Sequence, residues 1–253
     1  MQPDKPAIVF GQKRLAWGDF GARVAGLASG LARLGVQRGD RVACLMDNRP
    51  DFLQTFFATG CLGAVFVPLN TRLSLAELEE CVRRVEPEVL VTGGAFSEIV
   101  DALRRAVDIP HWVGADVRPR AGDPLVAELA GAAAGSGQAD LPGPRTLEDA
   151  AAVLYTSGTT GGPKGAVVTH SNIVHMTLNW VMHAGLSGDD RSLLFLPLCF
   201  TGGLLPIAMP VLHAGGTLVL QPSFDPEDAL AAIERERVTF VAGVPTTFAA
   251  MLN

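Results

Sequence analysis

Residues 155–165 read Tyr-Thr-Ser-Gly-Thr-Thr-Gly-Gly-Pro-Lys-Gly and directly follow the apolar run Ala151–Leu154. The ten residues from Thr156 to Gly165 carry four hydroxyl groups, four glycines and one lysine. Glycines let successive backbone N–H groups turn toward one anion, and hydroxyl and ammonium groups add side-chain donors. The segment therefore predicts a loop that binds a polyphosphate.

The residues around the lysine distinguish this loop from a Walker A motif. That motif needs Gly-Lys-Ser/Thr, whereas here Pro163 precedes Lys164 and Gly165 follows it. A second β-rich run, Ala166–Thr169, comes next, so we predict that the loop joins two strands and does not begin a helix. The predicted phosphate binding of this loop therefore does not depend on a helix N-terminus. The alternative interpretation is a surface hairpin rich in turn residues.

Along the rest of the chain, apolar strand-like runs alternate with helical patterns, which indicates an α/β fold with mostly parallel strands. The predicted helices cover Gly18–Leu34, Pro50–Leu62, Leu75–Val85, 172–183 and a segment from Asp225 to about Arg237. The predicted strands cover Arg41–Met46, Ala64–Pro68, Val89–Thr92 and Val238–Gly243. Ser74 and Glu77 have the spacing of a capping box at the start of the third helix.

Composition excludes several classes of protein. The 253 residues include 20 basic and 26 acidic side chains, and the net charge of −6 argues against a general nucleic-acid binder. With 48% apolar and 18% charged residues, the chain is expected to fold. Its four cysteines lack CxxC spacing, which indicates neither a disulfide framework nor a zinc site. We predict no metal-ligating cluster and a reducing, cytoplasmic setting.

Leu193–Leu220 contains no charged residue and is long enough to span a bilayer. Three prolines and two Gly-Gly pairs divide it, so we predict a buried strand, loop, helix and strand, and no transmembrane segment. Between Gly114 and Arg145 the periodic pattern weakens, and the small residues of 130–138 and 141–144 predict a flexible, solvated connector. We therefore divide the chain into an N-terminal α/β subdomain, 1–147, and an incomplete subdomain, 148–253, with the phosphate loop and substrate pocket.

The loop Tyr155–Gly165 resembles the signature loop of the AMP-forming adenylating superfamily. This superfamily includes acyl- and aryl-CoA synthetases, firefly-type luciferases and adenylation domains of nonribosomal peptide synthetases. Further segments are similar to the family: Leu34–Ala43, Val67–Leu73, Leu196–Gly203 and Gly243–Thr247. The resemblance covers essentially the whole chain and is closest to fatty and medium-chain acyl-CoA ligases. It implies the N-terminal part of the adenylate-forming fold, with mostly parallel sheets flanked by helices.

The resemblance implies a two-step reaction. A carboxylic acid attacks the α-phosphate of MgATP to give an acyl-adenylate and pyrophosphate, and coenzyme A then displaces AMP. The implied ligands are therefore ATP, Mg²⁺, coenzyme A and a small carboxylic acid. The implied phosphate-binding residues are Thr156, Ser157, Gly158, Thr159, Thr160, Gly161, Gly162 and Lys164, of which Thr156 and Lys164 are also the candidate catalytic residues. The implied substrate pocket contains Phe200, Thr201, Gly202, Gly203, Val244 and Thr246.

The sequence departs from the family in two places. Where the family often has Phe-His, this chain has Cys199-Phe200, so the Phe200 ring either contacts an apolar acyl chain or is an ordinary core aromatic. The sequence also ends at Asn253, before the family's adenine-binding loop, its Tyr-Gly-x-Thr-Glu segment and its C-terminal domain. We therefore expect an N-terminal portion of an acid–CoA ligase that is inactive alone. The alternatives are a half-length, non-catalytic nucleotide or acyl binder, and an adenylation domain of another superfamily branch.

Overall fold

A computed structural model of the protein describes residues 2–132, 143–144, 146–156 and 163–252. The strands are β1 (Pro6–Phe10), β2 (Lys13–Ala16), β3 (Arg41–Leu45), β4 (Val65–Pro68), β5 (Val89–Thr92), β6 (His111–Gly114), β7 (Ala150–Thr156), β8 (Lys164–Thr169), β9 (Arg191–Leu194), β10 (Thr217–Leu220) and β11 (Phe240–Val241). The helices are α1 (Trp17–Arg33), α2 (Pro50–Cys61), α3 (Leu75–Val85), α4 (Ser97–Ala106), α5 (Val126–Gly131), α6 (His170–Ala184), α7 (Thr201–Gly203), α8 (Met209–His213), α9 (Pro226–Glu236) and α10 (Pro245–Leu252).

Contacts divide the chain into two units, each with its own sheet. The first unit comprises Met1–Phe20, Asn48–Pro50 and Asn172–Asn253, and the second comprises Gly21–Asp47 and Asp51–Ser171. The predicted boundary near residue 148 lies inside the second unit, because β7 and β8 belong to that unit's sheet. The division into subdomains 1–147 and 148–253 therefore stays a prediction.

The first unit contains a five-stranded sheet in the order β11-β9-β10-β1-β2. All its pairs are parallel except β1 with β2. Strands β1 and β10, which have neighbours on both sides, are apolar runs, as expected where both faces of a parallel sheet are covered. One core cluster of this unit contains Val9, Leu193, Phe195, Val219, Ala229 and Ala232.

The second unit contains a six-stranded sheet in the order β6-β5-β3-β4-β7-β8, parallel throughout except for the β7–β8 pair. Helix α3 has the predicted bounds and the predicted capping box, in which the Ser74 backbone N–H donates to the Glu77 carboxylate at 2.9 Å. Leu78, Cys81 and Val82 of this helix are buried in the unit's core. The predicted α/β class, with mostly parallel sheets flanked by helices, is confirmed.

Helix α5 lies within 114–145, where the sequence shows little periodicity, and its last residues, Ala130 and Gly131, overlap the start of the predicted connector. Val126 and Leu129 are buried, so packing of these side chains stabilises the short helix. The small residues that follow it in the sequence gave no sign of this packing. Gly26 of α1 allows α5 to pack closely against α1, because a Cβ at this position would lie 2.2 Å from the Ala130 carbonyl oxygen. Residues 133–142 and 145 lie outside the described residues.

The apolar stretch Leu193–Leu220 is divided as predicted. It begins within β9, continues through the helical turns from Thr201 to His213, and ends with β10. In the ranges that the structure describes, no helix has the length and apolar character that a membrane span requires.

A buried carboxylate ties the end of α9 to the first unit's sheet. The Glu236 side chain is 3% exposed and accepts hydrogen bonds from Arg14 at 2.8 Å, Arg191 at 2.9 Å and Arg235 at 3.1 Å. Burial opposes the charged form of Glu236, but the hydrogen bond from Arg235 and the charges of the arginines outweigh it and lower its pKa. The charged network therefore stabilises the folded state.

We expect Glu236→Gln to lower the free energy of unfolding near neutral pH and to matter less in acid. Because the folded-state pKa lies below the ordinary value of 4.5, the contribution is fully present above that value and is lost as the pH falls through the folded-state pKa. Urea unfolding across this pH range measures the difference. Glu234→Gln, at an exposed position of the same helix, is the control. A Glu236→Gln deficit that stays constant from neutral to acid pH would contradict the charge network.

Candidate functional site: a phosphate-loop hairpin and a pocket edge

The β7–β8 hairpin holds the two ends of the predicted phosphate loop side by side. The strands pair antiparallel, with Tyr155 opposite Gly165 and Thr156 opposite Lys164 as the last pair. β7 is fixed on its other side by parallel pairing with β4, where Phe66 lies opposite Ala152. The loop therefore joins two strands, as predicted, and no helix begins at its end.

The structure places two of the eight predicted phosphate-binding residues. Thr156 and Lys164 lie opposite each other with exposed side chains, and the Thr156 hydroxyl donates a 3.4 Å hydrogen bond to the Lys164 carbonyl oxygen. The other six, Ser157, Gly158, Thr159, Thr160, Gly161 and Gly162, lie outside the described residues. A hydroxyl and an ammonium group are donors suited to phosphate oxygens.

Helix α3 contacts the hairpin directly. The Tyr155 hydroxyl donates to the Cys81 carbonyl oxygen at 2.9 Å, and the Arg84 guanidinium donates to the Pro163 carbonyl oxygen at 3.3 Å. Burial raises the pKa of Tyr155 to about 12, so its hydroxyl remains a donor at neutral pH. Our sequence reasoning missed Tyr155 and Arg84, although Tyr155 is the chain's one tyrosine and is the first residue of the motif.

The predicted pocket residues lie in the first unit, on two segments that leave the same edge of its sheet. β9 and β11 pair in parallel, with Phe240 opposite Ser192 and Val241 opposite Leu193. The segments that follow the two strands therefore emerge together at the carboxyl edge, where open α/β sheets commonly bind ligands. They approach closely, since a Cβ at Gly243 would lie 3.4 Å from the Phe195 ring.

Exposure differs among the pocket residues. Phe200 is partly buried and precedes α7, and Gly203 is buried at the end of that helix. The other four residues of the predicted pocket are exposed: Thr201, Gly202, Val244 and Thr246. The segments that contain Phe200–Gly203 and Val244–Thr246 thus follow two neighbouring parallel strands, and their forming a substrate pocket stays a prediction.

A buried asparagine that sequence reasoning missed holds the first of these segments. Asn48 is 3% exposed, and its amide nitrogen donates to the carbonyl oxygens of Leu196 at 2.9 Å and Gln221 at 3.1 Å. Its amide oxygen accepts from the Leu198 backbone N–H at 2.7 Å. The two hydrogen bonds to Leu196 and Leu198 therefore fix the backbone just before Phe200. The sequence signal would have been an asparagine soon after the apolar strand β3.

We expect Gly203→Ala to destabilise the protein by about 1–3 kcal/mol, because overpacked sites cost this much. A Cβ at Gly203 would lie 2.6 Å from the Pro197 carbonyl oxygen and 2.8 Å from that of Leu196, and backbone atoms cannot move aside cheaply. The matched control is Gly202→Ala, whose Cβ would meet nothing within 4 Å. Urea unfolding compares the variants, and equal stabilities would contradict the close packing.

No group of three or more His, Cys, Asp or Glu side chains that could hold a metal ion occurs among the described residues. None of the four cysteines in this part of the chain forms a disulfide bond. The hairpin of the second unit offers hydroxyl, ammonium and backbone groups on its described residues. The sheet edge of the first unit offers small and aromatic residues.

Comparison with known proteins agrees with this geometry. A family model described as AMP-binding enzyme matches residues 1–253. The chain belongs to this family of AMP-binding enzymes. Curated members of similar sequence are CoA ligases. A feruloyl-CoA synthase of Amycolatopsis sp. is 39% identical over 99% of this chain and 48% of its own length. An indoleacetate–CoA ligase of Aromatoleum aromaticum is 36% identical over 100% of this chain and 49% of its own length.

Among solved structures of the family, ATP-bound MatB from Rhodopseudomonas palustris is 32% identical, with a TM-score of 0.84. The match covers 100% of this chain and 48% of MatB. The chain therefore spans about half the length of the relatives it matches. The predicted family and the predicted N-terminal part of the adenylate-forming fold are both confirmed.

Proposed function

We propose that the protein carrying this chain is an AMP-forming acid–CoA ligase. The observation that carries the proposal is the hairpin that places the exposed Thr156 hydroxyl opposite the exposed Lys164 side chain, in a chain that matches the AMP-binding family over its full length. Membership of a fold family alone does not define chemistry, so the proposal depends on these side chains.

In the proposed first step, a carboxylate oxygen forms a bond to the α-phosphorus of ATP, and the bond from that phosphorus to the bridging oxygen breaks. Pyrophosphate leaves with the electron pair. In the second step, the thiol of coenzyme A attacks the acyl carbon, and AMP leaves as the carbon–oxygen bond breaks. ATP, the acid and coenzyme A are thus substrates, and AMP and pyrophosphate are products.

The hairpin's proposed task is to hold the β- and γ-phosphates as pyrophosphate leaves. Thr156 and Lys164 would donate from the two strand ends, together with the residues of 157–162 proposed from sequence. Donors fixed in advance around a developing anion are usually a large part of catalysis. These donors suit phosphate oxygens and not a cation, so we propose that Mg²⁺ arrives bound to ATP and offsets part of its charge.

The pocket edge is proposed to receive the acid. Phe200 would contact its apolar part, and the exposed Thr201, Gly202, Val244 and Thr246 with the buried Gly203 would complete the wall. The names of two relatives specify acids with an aromatic ring, ferulate and indoleacetate, and the name of another specifies long-chain fatty acids. We propose a cytoplasmic setting, where cysteines stay reduced, in keeping with the absence of disulfide bonds among the described residues.

The experiment is acid-dependent exchange of radiolabel between pyrophosphate and ATP, measured on the natural protein that carries this chain. The acids tested are ferulate, indoleacetate and fatty acids of graded length. We expect exchange with at least one of these acids and formation of its CoA thioester. Absence of exchange with every acid, despite ATP binding measured by calorimetry, would favour a non-catalytic nucleotide binder.

A non-catalytic nucleotide or acyl binder is the second candidate. The same calorimetry and exchange assays on the 253-residue chain alone test the prediction that it does not complete the reaction by itself. Exchange without thioester formation would indicate another branch of the superfamily, such as a peptide-synthetase adenylation domain.

A further inference from the structure

One face of helix α3 contacts both strands of the phosphate-loop hairpin. Cys81 and Arg84 are three residues apart, which places them on the same face of the helix. The Cys81 carbonyl oxygen accepts the hydrogen bond of Tyr155 on β7, and Arg84 donates to the carbonyl oxygen of Pro163, the residue just before β8. The helix thus contacts the residue just before Thr156 and the residue just before Lys164.

The contact at Pro163 has a specific geometric consequence. The Pro163 carbonyl and the Lys164 N–H belong to one planar peptide unit, so fixing the oxygen also fixes the direction of the N–H. It further limits the direction in which the Lys164 side chain leaves the backbone. Pro163 itself is buried, which reduces the alternatives open to this peptide.

The helix that makes these contacts is itself well anchored. Its capping box fixes its first turn, and Leu78, Cys81 and Val82 are buried. Val153 and Tyr155 of β7 lie against the same core cluster. Because a close-packed core resists deformation, a helix anchored in it holds the groups that it contacts at fixed positions.

The Arg84 side chain is oriented before it reaches the hairpin. Glu80, one turn earlier, accepts from the Arg84 guanidinium at 2.5 Å, while another nitrogen of the same group reaches Pro163 at 3.3 Å. A planar guanidinium can serve two acceptors in fixed directions, whereas a lysine ammonium lacks this planar geometry. Arg83, its neighbour, donates instead to the Ala106 carbonyl oxygen, away from the hairpin.

We propose that Arg84 is a positioning residue for the phosphate-binding hairpin. Held by Glu80, it fixes the Pro163–Lys164 peptide so that the lysine meets the β- and γ-phosphates of ATP, while the Tyr155–Cys81 hydrogen bond holds the opposite strand. Arg84 acts through Pro163 and not on the nucleotide. The inference rests on the proposed function, because it concerns the same loop.

The test compares Arg84→Ala with its neighbour Arg83→Ala in the natural protein that carries this chain. Loss of one part-exposed hydrogen bond at a positioning contact is expected to raise KM for MgATP about fivefold to tenfold, since such bonds contribute this much to an equilibrium. We expect kcat for pyrophosphate exchange to fall as well, because Lys164 is proposed to stabilise the departing pyrophosphate, whereas KM for the acid is expected to change less than about twofold. Arg83→Ala is expected to match the wild type.

Two further variants keep the test independent of folding. Arg84→Lys is expected to recover part of the ATP affinity, and Glu80→Gln to raise KM for MgATP slightly, with unchanged thermal midpoints. Equal kcat/KM values for MgATP in Arg84→Ala and Arg83→Ala would overturn the positioning role. Unchanged exchange in Lys164→Ala as well would remove the hairpin from the reaction, whereas absence of exchange in the wild type with every acid would contradict the proposed function itself. A loss with Lys164→Ala but none with Arg84→Ala would overturn only the role of Arg84.

Discussion

Replacement of Lys164 by alanine in the natural protein is expected to lower kcat/KM for acid-dependent ATP–pyrophosphate exchange by about thirtyfold to a thousandfold. This corresponds to about 2–4 kcal/mol of transition-state stabilisation, the usual effect of removing one donor aimed at a developing anion. Lys164 is the first residue of β8 and lies opposite Thr156 with its side chain exposed. Its ammonium group is thus available where the loop ends.

The matched control for Lys164→Ala is Lys13→Ala. Lys13 is also an exposed first residue of a strand in an antiparallel pair, so its replacement removes the same charge from a similar setting. Only the position relative to the phosphate loop differs. If both variants retained wild-type exchange, the hairpin would have no part in the reaction, and equal losses in both would indicate a general charge effect.

Asn48→Ala is expected to lower the free energy of unfolding by about 3 kcal/mol, because buried groups left without partners cost about 1–3 kcal/mol each. The substitution would leave the Leu196 and Gln221 carbonyl oxygens and the Leu198 N–H without their present partner. Asn48→Asp is expected to be at least as harmful, since a carboxylate oxygen would replace the amide nitrogen that faces two carbonyl oxygens.

Urea unfolding of the variants measures this effect, and Asn70→Ala is the matched control. Asn70 is partly exposed and accepts one local hydrogen bond, from the Arg72 N–H at 2.9 Å. We expect Asn70→Ala to lower the free energy of unfolding by about 1 kcal/mol or less. Similar losses at the two positions would contradict the anchoring role of Asn48 and with it our account of how the Phe200 segment is fixed.

Features fixed by local sequence were predicted well. The bounds of α3 follow from its capping box, and those of β5 from a short apolar run between turns. The sequence also predicted two strands joined by a loop here, although the strands extend to Thr156 and Lys164, which the prediction had assigned to the loop. Such features depend on residues a few positions apart, and their physical causes can be seen in the sequence itself.

Features fixed by distant partners were not predicted. Helix α5 depends on its packing against glycines of α1 about a hundred residues away in sequence. The predicted strand Val238–Gly243 is reduced to Phe240–Val241, because it pairs only at two positions with β9. Asn48 and Arg84 have contact partners 148 and 79 residues away, so nothing in their neighbouring residues indicates a role.

The central claim is that the β7–β8 hairpin holds the terminal phosphates of ATP. A crystal structure of the natural protein with MgATP and a non-reactive acid analogue tests it most directly. The account predicts oxygens of the β- and γ-phosphates within about 3 Å of the Thr156 hydroxyl and the Lys164 ammonium group, the usual distance of a hydrogen bond. ATP bound at another surface, with neither side chain near a phosphate, would contradict it.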